Sequence, residues 1–331
     1  MTLATGVGSM PFDDGQQPGA QYAESMRIIL DTLPRLPHVA ELPGRGVTAG
    51  LTGRGLAVVS GLGVDLQPAG WRLTDASGVD HRRARSLLAQ DLDTVEELTQ
   101  GYTGVFKLQL AGPWTLAATV EKPRGDKVLS DHGARRELAQ ALAEGVRDHI
   151  ADVRGRVSGA TELLVQLDEP SLPSVLAGRV PTASGFGRHR TVHPPEASEH
   201  LGWVLEAVVA AGGTPIVHCC ASDAPISLVR GAGAQGVSVD LDQLDAAGHD
   251  QLAEAVDAGD WVLLGAVAAT SPDPAPTESS LTERVTRLLD MLGLEPSDRL
   301  VVTPTCGLAG ATPVWSRRAL SLAAAAATHL S

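Results

Sequence analysis

The sequence of 331 residues is poor in cysteine, in clustered positive charge and in long apolar runs, and each shortage excludes a class of protein. Its three cysteines are too few for a disulfide framework and suit a reducing compartment, so we expect a cytoplasmic protein. Acidic residues outnumber basic ones by 39 to 26, for a net charge of −13, which argues against nucleic acid as a partner.

Signals for export or membrane insertion are also missing. The first residues have neither a charged region nor a long apolar one, so we expect no signal peptide. The longest apolar run near the C-terminus, residues 319–327, is too short and too rich in alanine to cross a bilayer. We therefore expect no membrane partner.

The sequence does contain a regular alternation of short apolar runs and amphipathic helical patterns, which predicts a parallel sheet covered by helices. Polar residues follow most of the apolar runs. This favours a (β/α)8 TIM barrel, whose active site lies at the strand ends, over an open doubly wound sheet with one switch point. The eight predicted strands are residues 3–7, 38–42, 105–110, 163–167, the run 214–217 that leads into His218, 237–241, 261–267 and 300–303. The predicted helices are residues 19–33, 80–100, 135–157, 196–211, 248–257, 278–292 and 314–329.

The chain is long enough for one large barrel or two ordinary domains, and we interpret residues 1–331 as a single barrel domain. Residues 44–80 are rich in glycine and are interpreted as an insertion after the second strand. Within them, residues 55–60 and 70–74 are possible additional strands.

The fifth strand ends in a histidine and two cysteines. Side chains on a strand alternate between its faces, so His218 and Cys220 point one way and Cys219 the other. Cys306 follows the last apolar run in a similar context. An imidazole and two thiolates at neighbouring strand ends are suitable ligands for zinc. The alternative is that these are ordinary buried cysteines, which behave as small apolar residues.

A carboxylate after the sixth strand can complete a tetrahedral zinc site. Asp240 and Asp242 share a face, and we prefer Asp240 because it lies directly at the strand end. With two thiolates and a carboxylate, the zinc is a poor Lewis acid for hydrolysis but keeps a bound substrate thiol deprotonated and nucleophilic. The pattern thus predicts thiol alkylation. A closed structural zinc is the alternative, although such sites more often use cysteines close together in sequence.

Asp168 and Glu169 follow the fourth strand. Neighbours on a strand face apart, so the paired carboxylates of a glycosidase are not expected here. We expect Asp168 to face the site and bind a substrate ammonium or a donor proton, and Glu169 to hold the loop in place.

With these residues placed, the chain resembles the cobalamin-independent methionine synthase family, specifically its zinc-bearing C-terminal barrel. The similar motifs, in chain order, are residues 7–11, 110–115, 166–170, 218–220 and 306–308. The resemblance implies homocysteine as the methyl acceptor and zinc as the cofactor, with no catalytic side chain beyond the zinc site. The residues implied for the acceptor are Gly8, Ser9, Glu41 and Asp168. Those implied for zinc are His218, Cys220, Cys306 and Asp240, the last standing where the family has a glutamate.

The resemblance fails at two places that bear on the methyl donor. Residues 265–270 lack the histidine that the long enzymes have after the seventh strand, and the chain lacks their second barrel, which helps to bind polyglutamyl folate. A folate donor needs protonation as its methyl group leaves, whereas cob(I)alamin leaves unaided. We therefore expect methylcobalamin or a corrinoid protein as the donor, with 5-methyltetrahydrofolate as the other candidate. The competing hypotheses are a corrinoid-linked methyltransferase that acts on another thiol, and a zinc-binding barrel without catalysis.

Overall fold

Seven parallel strands form the main sheet, in a computed structural model that describes residues 1–330. The strands of the protein are β1 (Leu3–Ala4), β2 (Gly63–Gln67), β3 (Gly70–Thr74), β4 (Gly104–Ala111), β5 (Ala160–Asp168), β6 (Thr214–Cys219), β7 (Gly236–Asp240), β8 (Trp261–Val267) and β9 (Leu300–Pro304). The main sheet has the order β1-β9-β8-β7-β6-β5-β4, and β2 and β3 form a separate antiparallel hairpin. The predicted α/β class is confirmed.

Helices fill the connections between the parallel strands, as the alternating pattern predicts. They are α1 (Pro18–Thr32), α2 (Leu51–Val58), α3 (Val79–Leu98), α4 (Pro113–Thr119), α5 (His132–Arg156), α6 (Leu172–Leu176), α7 (Pro194–Ala210), α8 (Ile226–Gly231), α9 (Ala246–Asp257), α10 (Glu278–Leu292) and α11 (Pro313–His329). Among residues 1–330, no helix is long and apolar enough to cross a membrane.

Residues 37–42 bridge the two edges of the main sheet. On one side they make two backbone hydrogen bonds with Lys107 of β4, at 3.0 and 2.9 Å. On the other side Glu41 makes two with the segment that follows β1, at 3.2 and 2.8 Å. These residues occupy the place of the predicted second strand, although they form isolated bridges and not a regular strand. The curled sheet and this bridging segment agree with the predicted barrel.

The glycine-rich residues 44–80 fold outside the main sheet. The strand predicted at residues 70–74 is confirmed as β3. The strand predicted at residues 55–60 is wrong, because most of these residues belong to α2. A short apolar run has no clear period, and here Gly55 lets the helix lie close to Ala111, whose Cβ would be 3.0 Å from a Cβ at Gly55. That this region is an insertion stays a prediction.

The inward face of the main sheet changes character along the strands. Towards their amino ends it carries a buried apolar cluster of Leu3, Leu36, Leu164, Ile216, Trp261, Leu263 and Val301. Two positions further along β5 and β6, on the same face, come Gln166 and His218, both buried. The outward face packs into the larger apolar core beneath the helices. One end of the sheet interior is thus filled with apolar side chains, and polar groups collect at the other.

Candidate metal and substrate site at the strand ends

A cavity of about 210 Å³ opens where the parallel strands end. Its lining consists of Val7, Gly8, Ser9, Glu41, Pro43, Leu51, Asp168, Pro170, His218, Cys220, Cys306 and Gly307. The structure therefore brings together all the site residues predicted from the sequence except Asp240. They meet at the carboxyl ends of the strands, where barrel enzymes place their active sites.

Three soft ligands converge in this cavity. One ligand atom each of His218, Cys220 and Cys306 lies within 4.8 Å of the other two. The two sulfur atoms are 3.0 Å apart, and neither cysteine forms a disulfide. His218 lies on β6 and Cys220 just beyond it, while Cys306 follows β9, so the sheet holds all three in place.

The ring of His218 is oriented for a metal ion. Its Nδ1 atom lies 2.9 Å from the hydroxyl oxygen of Ser238, which is its partner on β7. Its Nε2 atom is buried and has no hydrogen-bond partner by distance and angle, although His218 interacts with the Cys306 thiol. Buried polar atoms are rarely left without partners, and a ligating histidine commonly uses its other nitrogen for a hydrogen bond. The residues present therefore fit a bound metal.

Cys220 and Cys306 are close enough for each thiol to shift the pKa of the other. A hydrogen bond with Cys220 and the neighbouring His218 lower the pKa of Cys306, although burial opposes them. The same hydrogen bond, together with burial, raises the pKa of Cys220. A thiolate is the form of cysteine that binds metals.

Of the two carboxylates proposed for the fourth ligand, Asp240 is the better placed. Burial raises the pKa of Asp240, and the charge of Cys306 adds to the shift, so the two groups are close enough to interact. Asp240 also accepts a hydrogen bond from the backbone of Asp242, at 2.9 Å. The side chain of Asp242 is 63% exposed and forms an ion pair with Arg284. Asp240 as a metal ligand stays a prediction.

Cys219 lies in a different environment from its neighbour. It is 4% exposed and belongs to the buried apolar residues, and burial raises the pKa of its thiol to about 12. The alternation predicted for this strand is confirmed, since Cys220 lines the cavity and Cys219 does not.

Asp168 and Glu169 also face apart, as predicted. Asp168 lines the cavity and accepts a hydrogen bond from Gln166 at 2.7 Å, and burial raises its pKa to about 7. Glu169 accepts hydrogen bonds from the backbone N–H groups of Trp114 and Thr115, at 2.8 and 2.7 Å, and from the Thr115 hydroxyl at 2.7 Å. Glu169 thus holds the start of α4, not the loop that follows it.

Sequence reasoning missed the residues that support Glu41. Arg54 lies 3.3 Å from the Glu41 carboxylate and 3.0 Å from Asp91, which also pairs with Arg45 at 2.6 Å. These side chains are nearly fully buried. They come from separate elements, so no sequence spacing connects them. Lys107 was missed as well, although a lysine within the apolar run 105–110 was a visible signal.

Comparisons with known proteins give one family and one similar fold. A family model described as the catalytic domain of cobalamin-independent synthase matches residues 103–329. A solved B12-independent methionine synthase from Shewanella sp. W3-18-1, in complex with selenomethionine, aligns with a TM-score of 0.64 and 13% identity, over 99% of this chain and 97% of that chain. The carboxyl transferase domain of Rhizobium etli pyruvate carboxylase aligns with a TM-score of 0.29 and 10% identity, over 71% of this chain and 44% of that chain. No curated protein sequence matches.

Proposed function

This chain belongs to the family of cobalamin-independent synthase catalytic domains, and on that basis we propose how its residues carry out methyl transfer. The protein is a methyltransferase of the methionine synthase type, and its acceptor is the thiol of homocysteine. One observation supports placing this reaction in the cavity. The buried Nε2 of His218 has no hydrogen-bond partner and shares the cavity with two cysteine sulfurs 3.0 Å apart.

The metal in this proposal is zinc, held by His218, Cys220 and Cys306 with Asp240 as the fourth ligand. Nitrogen and thiolate ligands are those that zinc prefers. When bound, zinc supplies a centre at which a substrate thiol loses its proton and stays nucleophilic. Ser238 keeps the His218 ring in the orientation that presents Nε2. The cysteine ligands must stay reduced, so we place the protein in the cytoplasm. We treat residues 1–331 as one domain.

The amino acid part of homocysteine fits the opposite wall of the cavity. Asp168 and Glu41 are buried carboxylates, 7% and 6% exposed, that line it together. Arg54 already pairs with Glu41, whereas Asp168 forms no ion pair within residues 1–330, so an ammonium beside Asp168 supplies the missing counter-charge. We place the substrate carboxylate beside Gly8 and Ser9. Pro43, Leu51 and Pro170 contribute apolar surface that limits the access of water.

For the donor, the family description counts against the corrinoid donor expected from the sequence, because it names a cobalamin-independent synthase. We therefore propose 5-methyltetrahydrofolate. Methylcobalamin is kept as a second candidate on one observation. Residues 268–270, directly after β8, contain no histidine that can protonate a departing folate.

The decisive experiment supplies zinc-loaded protein with homocysteine and either 5-methyltetrahydrofolate or methylcobalamin, and measures methionine by chromatography. We expect methionine from the folate, loss of activity in Cys306→Ser, and a raised KM for homocysteine in Asp168→Asn. Methionine from methylcobalamin alone would reverse the choice of donor and leave the acceptor assignment intact. If protein that holds zinc forms methionine from neither donor, the proposed function is wrong.

A further inference from the structure

A lysine is buried directly beneath the candidate site. Lys107 lies on the inward face of β4, with no exposed surface. Its ammonium donates hydrogen bonds to the backbone oxygen of Val7 at 2.8 Å, to Gln166 Oε1 at 3.0 Å and to Gln109 Oε1 at 3.3 Å. All three acceptors are neutral. Within residues 1–330, Lys107 forms no ion pair.

Burying this ammonium lowers the stability of the fold. Removing an ammonium from water is unfavourable unless a counter-ion or hydrogen bonds replace the lost hydration. Burial accordingly lowers the pKa of Lys107 to about 8, while the charges of Asp168 and Glu41 favour its protonated form. The cation is thus stabilised at a distance by two carboxylates that line the cavity. A methionine of similar length would avoid this cost.

The hydrogen bonds of Lys107 lead to two walls of the cavity. The amide nitrogen of Gln166 donates to Asp168 Oδ1 at 2.7 Å and lies 3.0 Å from the same Val7 oxygen that Lys107 contacts. Lys107 is therefore linked directly to the segment that contains Gly8 and Ser9, and through Gln166 to Asp168. The carboxylate of Asp168 is fixed by a side chain that Lys107 itself fixes.

We propose that Lys107 is a positioning residue that selects thiols bearing an amino acid group. It holds the segment after β1 and the Asp168 carboxylate at the spacing that the ammonium and carboxylate of the acceptor require. This inference rests on the proposed function, because it assumes that these two walls bind the amino acid part of homocysteine. The ammonium of Lys107 contacts neither Cys220 nor Cys306, so we expect its effect to fall on recognition of the amino acid group.

The test compares two acceptors in zinc-loaded protein. Homocysteine carries the amino acid group, whereas propanethiol offers only a thiol. In Lys107→Met, we expect the Kd and KM for homocysteine to rise roughly 10-fold or more, as for the loss of hydrogen bonds to a charged group. Binding of propanethiol and the zinc content should stay as in the wild type. Lys122→Met, the same change at a partly exposed lysine, is the matched control.

A second variant covers the case in which Lys107→Met does not fold. Gln166→Met breaks the link to Asp168 and leaves Lys107 in place, and it should show the same selective loss of homocysteine binding. Unchanged homocysteine binding, or an equal loss for both thiols, would overturn the inference, since a purely structural lysine affects both alike. Failure of the wild type to bind homocysteine would instead refute the proposed function, and it is seen before any variant is made.

Discussion

Two adjacent cysteines show how finely this site depends on single residues. Cys219 packs into the core, while Cys220 lines the cavity with Cys306. One step along a strand reverses the direction of the side chain, so the same chemical group packs into the core in one case and lines the cavity proposed to bind zinc in the other.

This contrast gives a direct test of the metal site. Cys306→Ser removes a thiolate ligand, and we expect the purified protein to lose most of its zinc. Cys219→Ser changes a sulfur that faces the core, so zinc should stay at about one per chain, with a small loss of stability. Elemental analysis of both variants and the wild type measures this. Stoichiometric zinc in Cys306→Ser would exclude Cys306 as a ligand.

At the scale of residues, the alternation of a strand predicted that His218 and Cys220 share a face and that Asp168 and Glu169 face apart. His218, Cys220 and Asp168 needed only the alternation of a strand and a boundary correct to one position. The support of Glu41 by Arg54 could not be predicted in this way, because the contact exists only after α2 packs beside residues 37–42. Charges that pair across separate elements leave no pattern in the sequence.

Among the elements, α4 depends on a residue from another strand. It has seven residues, starts directly after β4, and has no capping side chain of its own. Glu169, from the end of β5, accepts the hydrogen bonds of its first N–H groups instead. A carboxylate at this end of a helix also interacts favourably with the helix dipole.

Replacing Glu169 should therefore destabilise the fold without changing the metal site. In Glu169→Gln the charge is lost, and one oxygen that accepts backbone hydrogen bonds becomes a donor. We expect the free energy of unfolding to fall by about 1–3 kcal/mol, as measured by urea denaturation, with the zinc content unchanged. Glu206→Gln on the exposed side of α7 is the control. Equal stability of the two variants would contradict this role.

The long helices could be predicted from the sequence, and the short helices could not. The predicted bounds of β8 and α10 agree with the structure, because both have long, regular apolar patterns. Helices α2, α4, α6 and α8 were missed. Each has five to eight residues, about two turns or fewer, so no helical period can be recognised. Tertiary contacts such as those of Glu169 decide their conformation.

In the molecule as a whole, the main sheet and residues 37–42 form a ring around the cavity. The number of backbone contacts between neighbouring segments differs along this ring. β4 and β5 pair along eight register positions, whereas residues 37–42 bridge β4 and the segment after β1 with four backbone hydrogen bonds. Local opening is easiest where the fewest contacts must break. We therefore expect the amide protons of Val39 and Glu41 to exchange with deuterium faster than those of β5 and β6.

The same bridge contains Glu41 and contacts Ser9, both of which line the cavity. Homocysteine that binds these residues should slow deuterium exchange there, as measured by mass spectrometry of peptides with and without ligand. Protection confined to β6 and β9 would contradict this coupling. If the coupling holds, this part of the ring acts as a latch. Binding of homocysteine and closure of the latch are then thermodynamically coupled. Any change that stabilises the closed ring therefore also raises the affinity for homocysteine.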